Sequence, residues 1–249
     1  MSVVAIASLR GGPGATTVAV GLAAVAAERG PALLIEADPS GGVLLARCPS
    51  LDGARTLVHL AFPDRDEAAA GIANVVARVA QRLGELSVIT APVNPAQATE
   101  ALARPRSRWP SRLDEVPGLV VVDCGRLYPA TPAASVLRAA DAVVLVSSPE
   151  AEDLIGFTDW ARAANEPGPL FDAPCLVTVG RGRFREWHIT RELGATYWGS
   201  VPHAPDVVDL LWRGTSTRHR RVARSAFVRA MHSKLDELGQ VLAQRKQPA

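Results

Sequence analysis

The chain has 249 residues, of which 48% are hydrophobic and 21% are charged, so it can bury a core and lacks the composition of a disordered protein. A formal net charge of +2 is too small to indicate a nucleic-acid-binding protein by itself. No apolar run approaches the roughly 18 residues of a membrane-spanning helix, and the N-terminus lacks the pattern of a signal peptide. We therefore expect a cytoplasmic protein.

The cysteines and histidines indicate neither a disulfide framework nor a metal site. Cys48, Cys124 and Cys175 are odd in number, far apart and without a CxxC pair. The five histidines are scattered and show no metal-ligand spacing. We assign these residues to packing or to the surface.

Short apolar runs alternate with helix-like segments along almost the whole chain. The predicted strands are Ser2–Ala7, Ala32–Ile35, Leu86–Thr90, Leu119–Val122, Ala142–Val146, Cys175–Val179 and Tyr197–Val201. The predicted helices are Thr16–Arg29, Asp66–Leu83, Pro132–Ala139, Glu150–Ala164, Phe184–Leu193, Pro205–Trp212 and Arg221–Gln244. This alternation predicts one three-layer α/β/α domain over residues 1–249, with a mostly parallel central sheet of about seven strands.

Two parts of the chain are less regular or less certain in role. The segment Pro92–Pro117 contains several prolines and arginines, so we expect no long regular element there. The last predicted helix, about 221–244, carries an apolar face that packs on the domain or serves as an interaction element.

A glycine-rich loop joins the first predicted strand to the first predicted helix. Residues Ser8–Thr17 read SLRGGPGATT, and glycines at this place let backbone N–H groups cradle a phosphate at the positive end of the helix. A P-loop reads GxxxxGK[ST]. Here Gly14 and Thr16 match that pattern, but Ala15 stands where the lysine is expected.

Acidic residues follow two other buried strands. Leu33–Gly41 reads LLIEADPSG, with Glu36 and Asp38 after the second strand, and Leu119–Gly125 reads LVVVDCG, with Asp123 at the end of the fourth. Further along, Ala140–Glu150 reads ADAVVLVSSPE and Gly199–Pro202 reads GSVP.

Taken in order, these segments resemble the ParA/MinD family of P-loop ATPases (SIMIBI class). The loop resembles the family's deviant Walker motif KGGxGK[ST][ST], and the two acidic segments resemble its DxDPxG and DxG motifs. The proline loop after Ala140 and the late GSVP turn are also similar to family segments, so the matches run from Arg10 to about Trp212. The resemblance implies a P-loop NTPase-like fold.

The resemblance also implies a binding site for ATP or ADP with Mg²⁺. The nucleotide-binding residues would be Gly11, Gly12, Pro13, Gly14, Ala15, Thr16, Thr17 and Pro202. Thr16 would hold the metal through its hydroxyl and Asp123 through a water molecule. Asp38 would position the attacking water, and Arg10 takes the place of the lysine that reaches across the family's nucleotide-bound dimer.

The departures from the family pattern fall on the chemistry. Each charge-assisted hydrogen bond to a phosphate contributes about 1.5–3 kcal/mol, so the loss of lysine at position 15 should weaken binding about tenfold to a hundredfold and slow hydrolysis further. The only lysines are Lys234 and Lys246, and Val177–Gly182 lacks the asparagine with which the family often reads adenine. We expect weakened nucleotide binding and weak or absent hydrolysis.

These features favour a pseudo-ATPase that acts as a switch or scaffold in the positioning or partitioning of a chromosome, plasmid, division, pilus or secretion cargo, as a homodimer with a protein partner. One alternative is an active ATPase that uses Arg10 in place of the missing lysine. Another is a partner-binding module that needs no nucleotide. A third is a dinucleotide-binding oxidoreductase, because Gly12, Gly14 and Glu36 loosely match that fingerprint, although Thr17 replaces its third glycine.

An arginine-rich stretch, Arg213–Arg229, is free of acidic residues. Its candidate DNA-contacting residues are Arg213, Arg218, Arg220, Arg221 and Arg224, with Arg229 beside them and with Arg181, Arg183, Arg185 and Arg191 as an extension. The same run is also compatible with a merely solvated face. The last helix lacks bulky apolar residues in its final turns, so we do not expect it to lie on a membrane surface.

Overall fold

A computed structural model describes residues 1–12, 14–164, 170–171, 174–182, 184, 186–193 and 196–245. Within these residues the strands are β1 Ser2–Ser8, β2 Ala32–Glu36, β3 Gln81–Leu83, β4 Leu86–Ile89, β5 Leu119–Arg126, β6 Ala142–Ser147, β7 Cys175–Val179 and β8 Thr196–Val201. They form one sheet in the order β3-β4-β2-β5-β1-β6-β7-β8, parallel except for the β3–β4 pair. The predicted mostly parallel sheet is confirmed, and it brings the ends of β1, β2 and β5 together.

Helices cover both faces of the sheet. In the described residues they are α1 Ala15–Ala27, α2 Leu44–Arg47, α3 Leu57–Ala61, α4 Arg65–Ala69, α5 Ile72–Val79, α6 Pro95–Ala103, α7 Ala134–Ala139, α8 Ala151–Ile155, α9 Phe157–Ala164, α10 Glu186–Leu193, α11 Pro205–Trp212, α12 Arg220–Ala223 and α13 Ala226–Arg245, with a 3-10 helix at Trp109–Glu115. Alternate residues of β1 enter two separate cores: Val3 and Ala5 pack on one side, and Val4 and Ile6 on the other. The three-layer α/β/α prediction is therefore confirmed.

The predicted helix Asp66–Leu83 is wrong in part, because this stretch contains the end of α4, the helix α5 and the strand β3. Gly71 separates α4 from α5 with a φ of 91°, a left-handed conformation that favours glycine. After α5 the chain becomes the short antiparallel strand β3, the eighth of the sheet. The Gln81 side chain, which is buried, donates to the carbonyls of Asp52 and Arg55 at 2.8 Å and so anchors this strand.

The proline-rich segment contains a regular helix that the sequence analysis did not predict. Pro95 stands in the first turn of α6, where its missing N–H costs nothing, and the side chain of Asn94 accepts from Ala96 N at 2.9 Å. The prolines therefore begin an ordered element here. The 3-10 helix then buries Trp109 completely.

The last predicted helix is divided into α12 and α13. Ser225 lies between them, and its hydroxyl accepts from Val228 N at 3.1 Å. α13 packs on α1, where Gly21 allows close approach: a Cβ at this glycine would lie 2.7 Å from the ring of Phe227, which is fully buried. α13 therefore belongs to the core. None of the helices in the described residues is both long enough and apolar enough to cross a membrane.

Candidate functional site

The glycine loop leads from β1 into the N-terminus of α1. Gly12 and Gly14 have φ angles of 86° and 93°, which residues with a side chain rarely adopt. The carbonyl of Gly14 accepts from Val18 N at 2.9 Å, and no side chain caps the helix. The first N–H groups of α1 are therefore available to an anion. Pro13, a predicted nucleotide-binding residue, lies outside the described residues.

Ala15 and Thr16 form the first turn of α1 and differ in what they offer to a ligand. Ala15 is buried and provides no charge at the position of the P-loop lysine. Thr16 is half-buried, and its hydroxyl interacts with the carboxyl group of Asp123. The fold thus places the two predicted metal-binding residues beside each other.

Asp123 is a buried carboxylate with unused acceptor capacity. Its Oδ1 accepts from Gly125 N at 3.1 Å, whereas Oδ2 has no hydrogen-bond partner among the described residues. Burial raises the pKa of Asp123 to about 6, although the interactions with Thr16 and Gly125 oppose the shift. Mg²⁺ is usually held by one or two carboxylates together with substrate phosphates and water, so an orphaned carboxylate oxygen next to a threonine hydroxyl fits this ion. No group of three or more potential metal-ligating His, Cys, Asp or Glu side chains occurs in the described residues.

Asp38 lies close to the same edge of the sheet. Its Oδ1 accepts from Ser40 N at 2.7 Å, and its carboxyl group lies against Gly125, where a Cβ atom would overlap it. Burial raises the pKa of Asp38. The structure therefore brings the carboxyl groups of Asp38 and Asp123 into one acidic cluster, with the hydroxyl of Thr16 beside it.

Glu36 replaces the first aspartate of the DxDPxG pattern and has a structural role. Its Oε1 accepts from Val43 N at 2.6 Å and Leu44 N at 3.0 Å, and its Oε2 accepts from Ala91 N at 3.0 Å. These bonds join the segment before α2 to the end of β4. Burial, with the charge of Asp123 as a smaller cause, raises the pKa of Glu36 to about 7 despite the three N–H donors.

Arg10 points toward the helices that follow β6. Its guanidinium Nη1 lies 3.3 Å from Asp153 Oδ1 in α8, and its Cζ lies 5.6 Å from the ring centroid of Trp160 in α9. Arg126 lies over the same ring at 5.9 Å. Arg10 is therefore held by contacts within its own chain.

A cavity of about 260 Å³ opens beside the glycine loop. Gly12, Gly14 and Thr17 line one side of it, and Val179 at the end of β7 lines another. The turn 202–205, which includes the predicted nucleotide-binding residue Pro202, closes it together with α11. The location of this cavity beside the loop suits the nucleoside part of a ligand whose phosphates lie on the loop.

Arg47 also lines this cavity, although it is not among the site residues predicted from the sequence. It is the last residue of α2, and its guanidinium carbon lies 4.2 Å from the ring centroid of Trp212 in α11. No motif spacing pointed to Arg47. Its only signal in the sequence was its position shortly after the segment LLIEADPSG.

The arginines of the arginine-rich segment do not line the cavity, and they are exposed. This holds for Arg213, Arg218, Arg220, Arg221, Arg224 and Arg229. Arg218 donates to the carbonyl of Glu28 at 2.9 Å and Arg229 to that of Arg224 at 2.6 Å. Of the predicted extension, Arg181 and Arg191 are exposed, whereas Arg183 and Arg185 lie outside the described residues.

Comparison with solved structures places the fold among the ParA and MinD ATPases. MinD of Pyrococcus horikoshii OT3 complexed with Mg-ADP superposes with a TM-score of 0.71 at 15% identity, over 99% of both chains. The ParA family ATPase of Chlorobium tepidum gives 0.66 at 14% identity over 95% of this chain and 98% of that one. A protein of the MinC:MinD cell division complex of Aquifex aeolicus gives 0.60 at 15% identity over 96% of each chain.

The structural comparison confirms the resemblance at the level of the fold: the chain has the α/β architecture of the ParA/MinD P-loop ATPases. No protein-family model matches the sequence. No curated protein matches it either.

Proposed function

We propose that this protein is a nucleotide-binding switch or scaffold of the ParA/MinD type, which acts in intracellular positioning or partitioning and hydrolyses ATP weakly or not at all. One observation carries the proposal: a glycine loop, an acidic cluster and a cavity lie together at one edge of the sheet, and Ala15 stands at the lysine position. Solved ParA and MinD ATPases share this fold.

The binding step follows from the loop and its neighbours. The N–H groups at the start of α1 would bind phosphate, and the cavity bounded by Val179 and Pro202 would take the nucleoside. Thr16 and Asp123 would hold Mg²⁺, which supplies charge neutralisation at the phosphates when bound. The neighbour from Pyrococcus horikoshii is complexed with Mg-ADP, which supports the same cofactor here.

Weak hydrolysis follows from the missing cation. Phosphoryl transfer depends on positioning and on charge neutralisation, so a site without the P-loop lysine stabilises the transition state poorly. Asp38 keeps its place at the cluster and could still orient a water molecule, which explains why some residual turnover is compatible with the proposal. Arg10 pairs with Asp153 in its own chain and would have to leave this contact to act on a phosphate.

A protein partner and a homodimer belong to the same proposal. A structural neighbour of this chain is a component of a complex of MinC with MinD. A switch that hydrolyses little would change its partner contacts through nucleotide binding alone. For this, the nucleotide must bind the partner-binding conformation and the other conformation with different affinities, because only that difference shifts the equilibrium between them.

Calorimetric titration of the purified protein with ATP and with ADP, each with and without Mg²⁺, tests the binding part of the proposal. We expect Mg²⁺ to strengthen nucleotide binding by the wild type. In Thr16→Ala, which lacks the metal-binding hydroxyl, the nucleotide affinity should not depend on Mg²⁺. An absence of binding at millimolar nucleotide would contradict the proposal and leave only the fold.

The exposed arginines support a second proposed activity, sequence-independent DNA binding. No carboxylate in the described residues lies within 4.0 Å of Arg213, Arg220, Arg221 or Arg224, so these charges are not neutralised by neighbours. Binding of a fluorescent DNA duplex at several salt concentrations tests this. In the triple variant Arg220→Ala, Arg221→Ala and Arg224→Ala, the slope of log K against log salt concentration should become less steep by up to about 0.9 per lost phosphate contact. Unchanged binding in this variant would contradict it.

A further inference from the structure

The cavity beside the glycine loop contains one permanently charged cation among its lining residues, Arg47. The other ionisable residues that line it are His203 and Asp209. Arg47, at the cavity wall, is therefore a candidate cation for a bound nucleotide, distinct from Arg10. The inference rests on the proposed nucleotide-binding function and identifies a further residue of that site.

The backbone around Arg47 is fixed by the buried carboxylate of Glu36. Oε1 of Glu36 accepts from Val43 N and Leu44 N, and the carbonyl of Val43 in turn accepts from Arg47 N at 3.1 Å. Arg47 thus ends a short helix whose first turn is attached to Glu36, the last residue of β2, two residues before Asp38.

The guanidinium of Arg47 is held in place by an aromatic ring and is not neutralised. It lies 4.2 Å from the ring centroid of Trp212, a separation at which the attraction between a cation and an aromatic face is favourable. No carboxylate in the described parts of the chain lies within 4.0 Å of it, although Asp209 lines the same cavity. The buried indole Nε1 of Trp212 also has no hydrogen-bond partner among the described residues.

The position of Arg47 indicates which part of a nucleotide it would meet. Gly12, Gly14 and Thr17 line the cavity with it, whereas Thr16 and Asp123, the expected metal-binding residues, do not. In a P-loop the backbone cradles the phosphates and the metal-binding hydroxyl marks the distal end of the chain of phosphates. Arg47 is therefore on the side of the nucleoside and of the phosphate next to it.

We propose that Arg47 binds the nucleoside-proximal phosphate of ATP or ADP and supplies a positive charge to a nucleotide site that has no P-loop lysine. A guanidinium presents a planar fork of donors that matches phosphate oxygens, and it keeps its charge at all physiological pH values. This assignment gives the phosphate contact to Arg47 and not to Arg10, which pairs with Asp153. It also explains how a site without a P-loop lysine can retain affinity while it loses catalysis, because Arg47 lines the cavity and the expected metal-binding residues Thr16 and Asp123 do not.

Calorimetric titration of ATP and ADP into wild-type protein, Arg47→Gln and Arg47→Lys tests the inference. Arg47→Gln should weaken both nucleotides about tenfold to a hundredfold, and Arg47→Lys should weaken them less because it keeps the charge. The matched control is Arg106→Gln, because Arg106 is also an exposed arginine over an aromatic ring, 6.0 Å from the centroid of Phe62. The affinity of Arg47→Gln should also fall less steeply with added NaCl than that of the wild type.

The outcomes distinguish this inference from the proposed function. If the wild type binds ATP and Arg47→Gln binds it equally well, the role of Arg47 is wrong and the proposed function stands. If Arg106→Gln loses as much affinity as Arg47→Gln, the effect is one of total charge and the role of Arg47 is again wrong. If the wild type binds neither nucleotide, the proposed function fails and the role of Arg47 fails with it.

Discussion

The guanidinium of Arg10 lies 3.3 Å from the carboxylate of Asp153 on the helix after β6, and the ring of Trp160 lies beneath it. Arg10 occupies the position at which the ParA/MinD resemblance implies a lysine that reaches across a dimer. In this structure the Arg10 side chain is paired with a carboxylate of its own chain. Any contact of Arg10 with a second subunit therefore competes with the contact to Asp153.

Asp153→Asn should release Arg10 for contacts with another subunit. We expect the free energy of unfolding to change by less than about 1 kcal/mol, because the pair is partly exposed, and we expect the ATP-dependent dimer fraction to increase. Sedimentation velocity with and without Mg-ATP measures that fraction. The control is Glu115→Gln, which removes a surface pair with Arg112 in the 3-10 helix. A dimer fraction that stays the same in Asp153→Asn would show that the intrachain pair does not oppose dimerisation.

Glu36→Gln should change the pH dependence of stability. Burial raises the pKa of Glu36 from 4.5 to about 7, so the folded state binds more protons than the unfolded state between these values. The contribution of Glu36 to the free energy of unfolding of the wild type is therefore fully present below pH 4.5. It falls by up to about 3 kcal/mol as the pH rises toward 7. Urea unfolding from pH 5 to 8, without nucleotide or Mg²⁺, measures the effect. As the pH rises, the free energy of unfolding of Glu36→Gln should increase relative to that of the wild type. A difference between the two proteins that does not change with pH would contradict the expectation.

Phe227→Ala should destabilise the protein by about 3–5 kcal/mol, because this ring is fully buried between α13 and Gly21 of α1. Ile155→Ala is the control, since Ile155 is 79% exposed and its truncation should cost less than about 0.5 kcal/mol. Chemical denaturation followed by circular dichroism measures both. Equal effects for the two variants would mean that α13 is not part of the core.

Ala15→Lys should restore the missing charge at the glycine loop. We expect the variant to bind ATP about tenfold to a hundredfold more tightly than the wild type, with a smaller gain for AMP, since a lysine here would lie nearer the terminal phosphates. Calorimetric titration measures the gain, and Ala27→Lys at the other end of α1 is the control for added charge. Equal affinity of Ala15→Lys and wild type for ATP would show that the lysine position does not limit binding.

The sheet was predictable because short apolar runs alternate with helix-like segments along the chain, and all seven predicted strands are present among the eight described. The break in the predicted helix Asp66–Leu83 was harder to predict. The apolar period of Ile72, Val75 and Val76 is helical, but the positive φ of Gly71 and the buried contacts of Gln81 depend on tertiary packing.

The motifs around Gly14, Asp38 and Asp123 identified the sheet edge where the candidate site lies, because each one follows a strand. The orientation of Arg10 was not predictable, since Asp153 and Trp160 are distant in sequence. Arg47 was missed for the same reason: only the fold brings it to Trp212. Motif spacing locates backbone positions, whereas long side chains find partners that the spacing does not encode.

Release of phosphate from saturating Mg-ATP tests the central claim most directly. The wild type should release phosphate no faster than a few times the background, where background is the rate of Asp38→Ala purified in the same way. Both proteins should bind ATP in the calorimeter. Steady turnover near 1 s⁻¹ or above, an ordinary enzymatic rate, that disappears in Asp38→Ala would contradict the account and establish an active ATPase without a P-loop lysine.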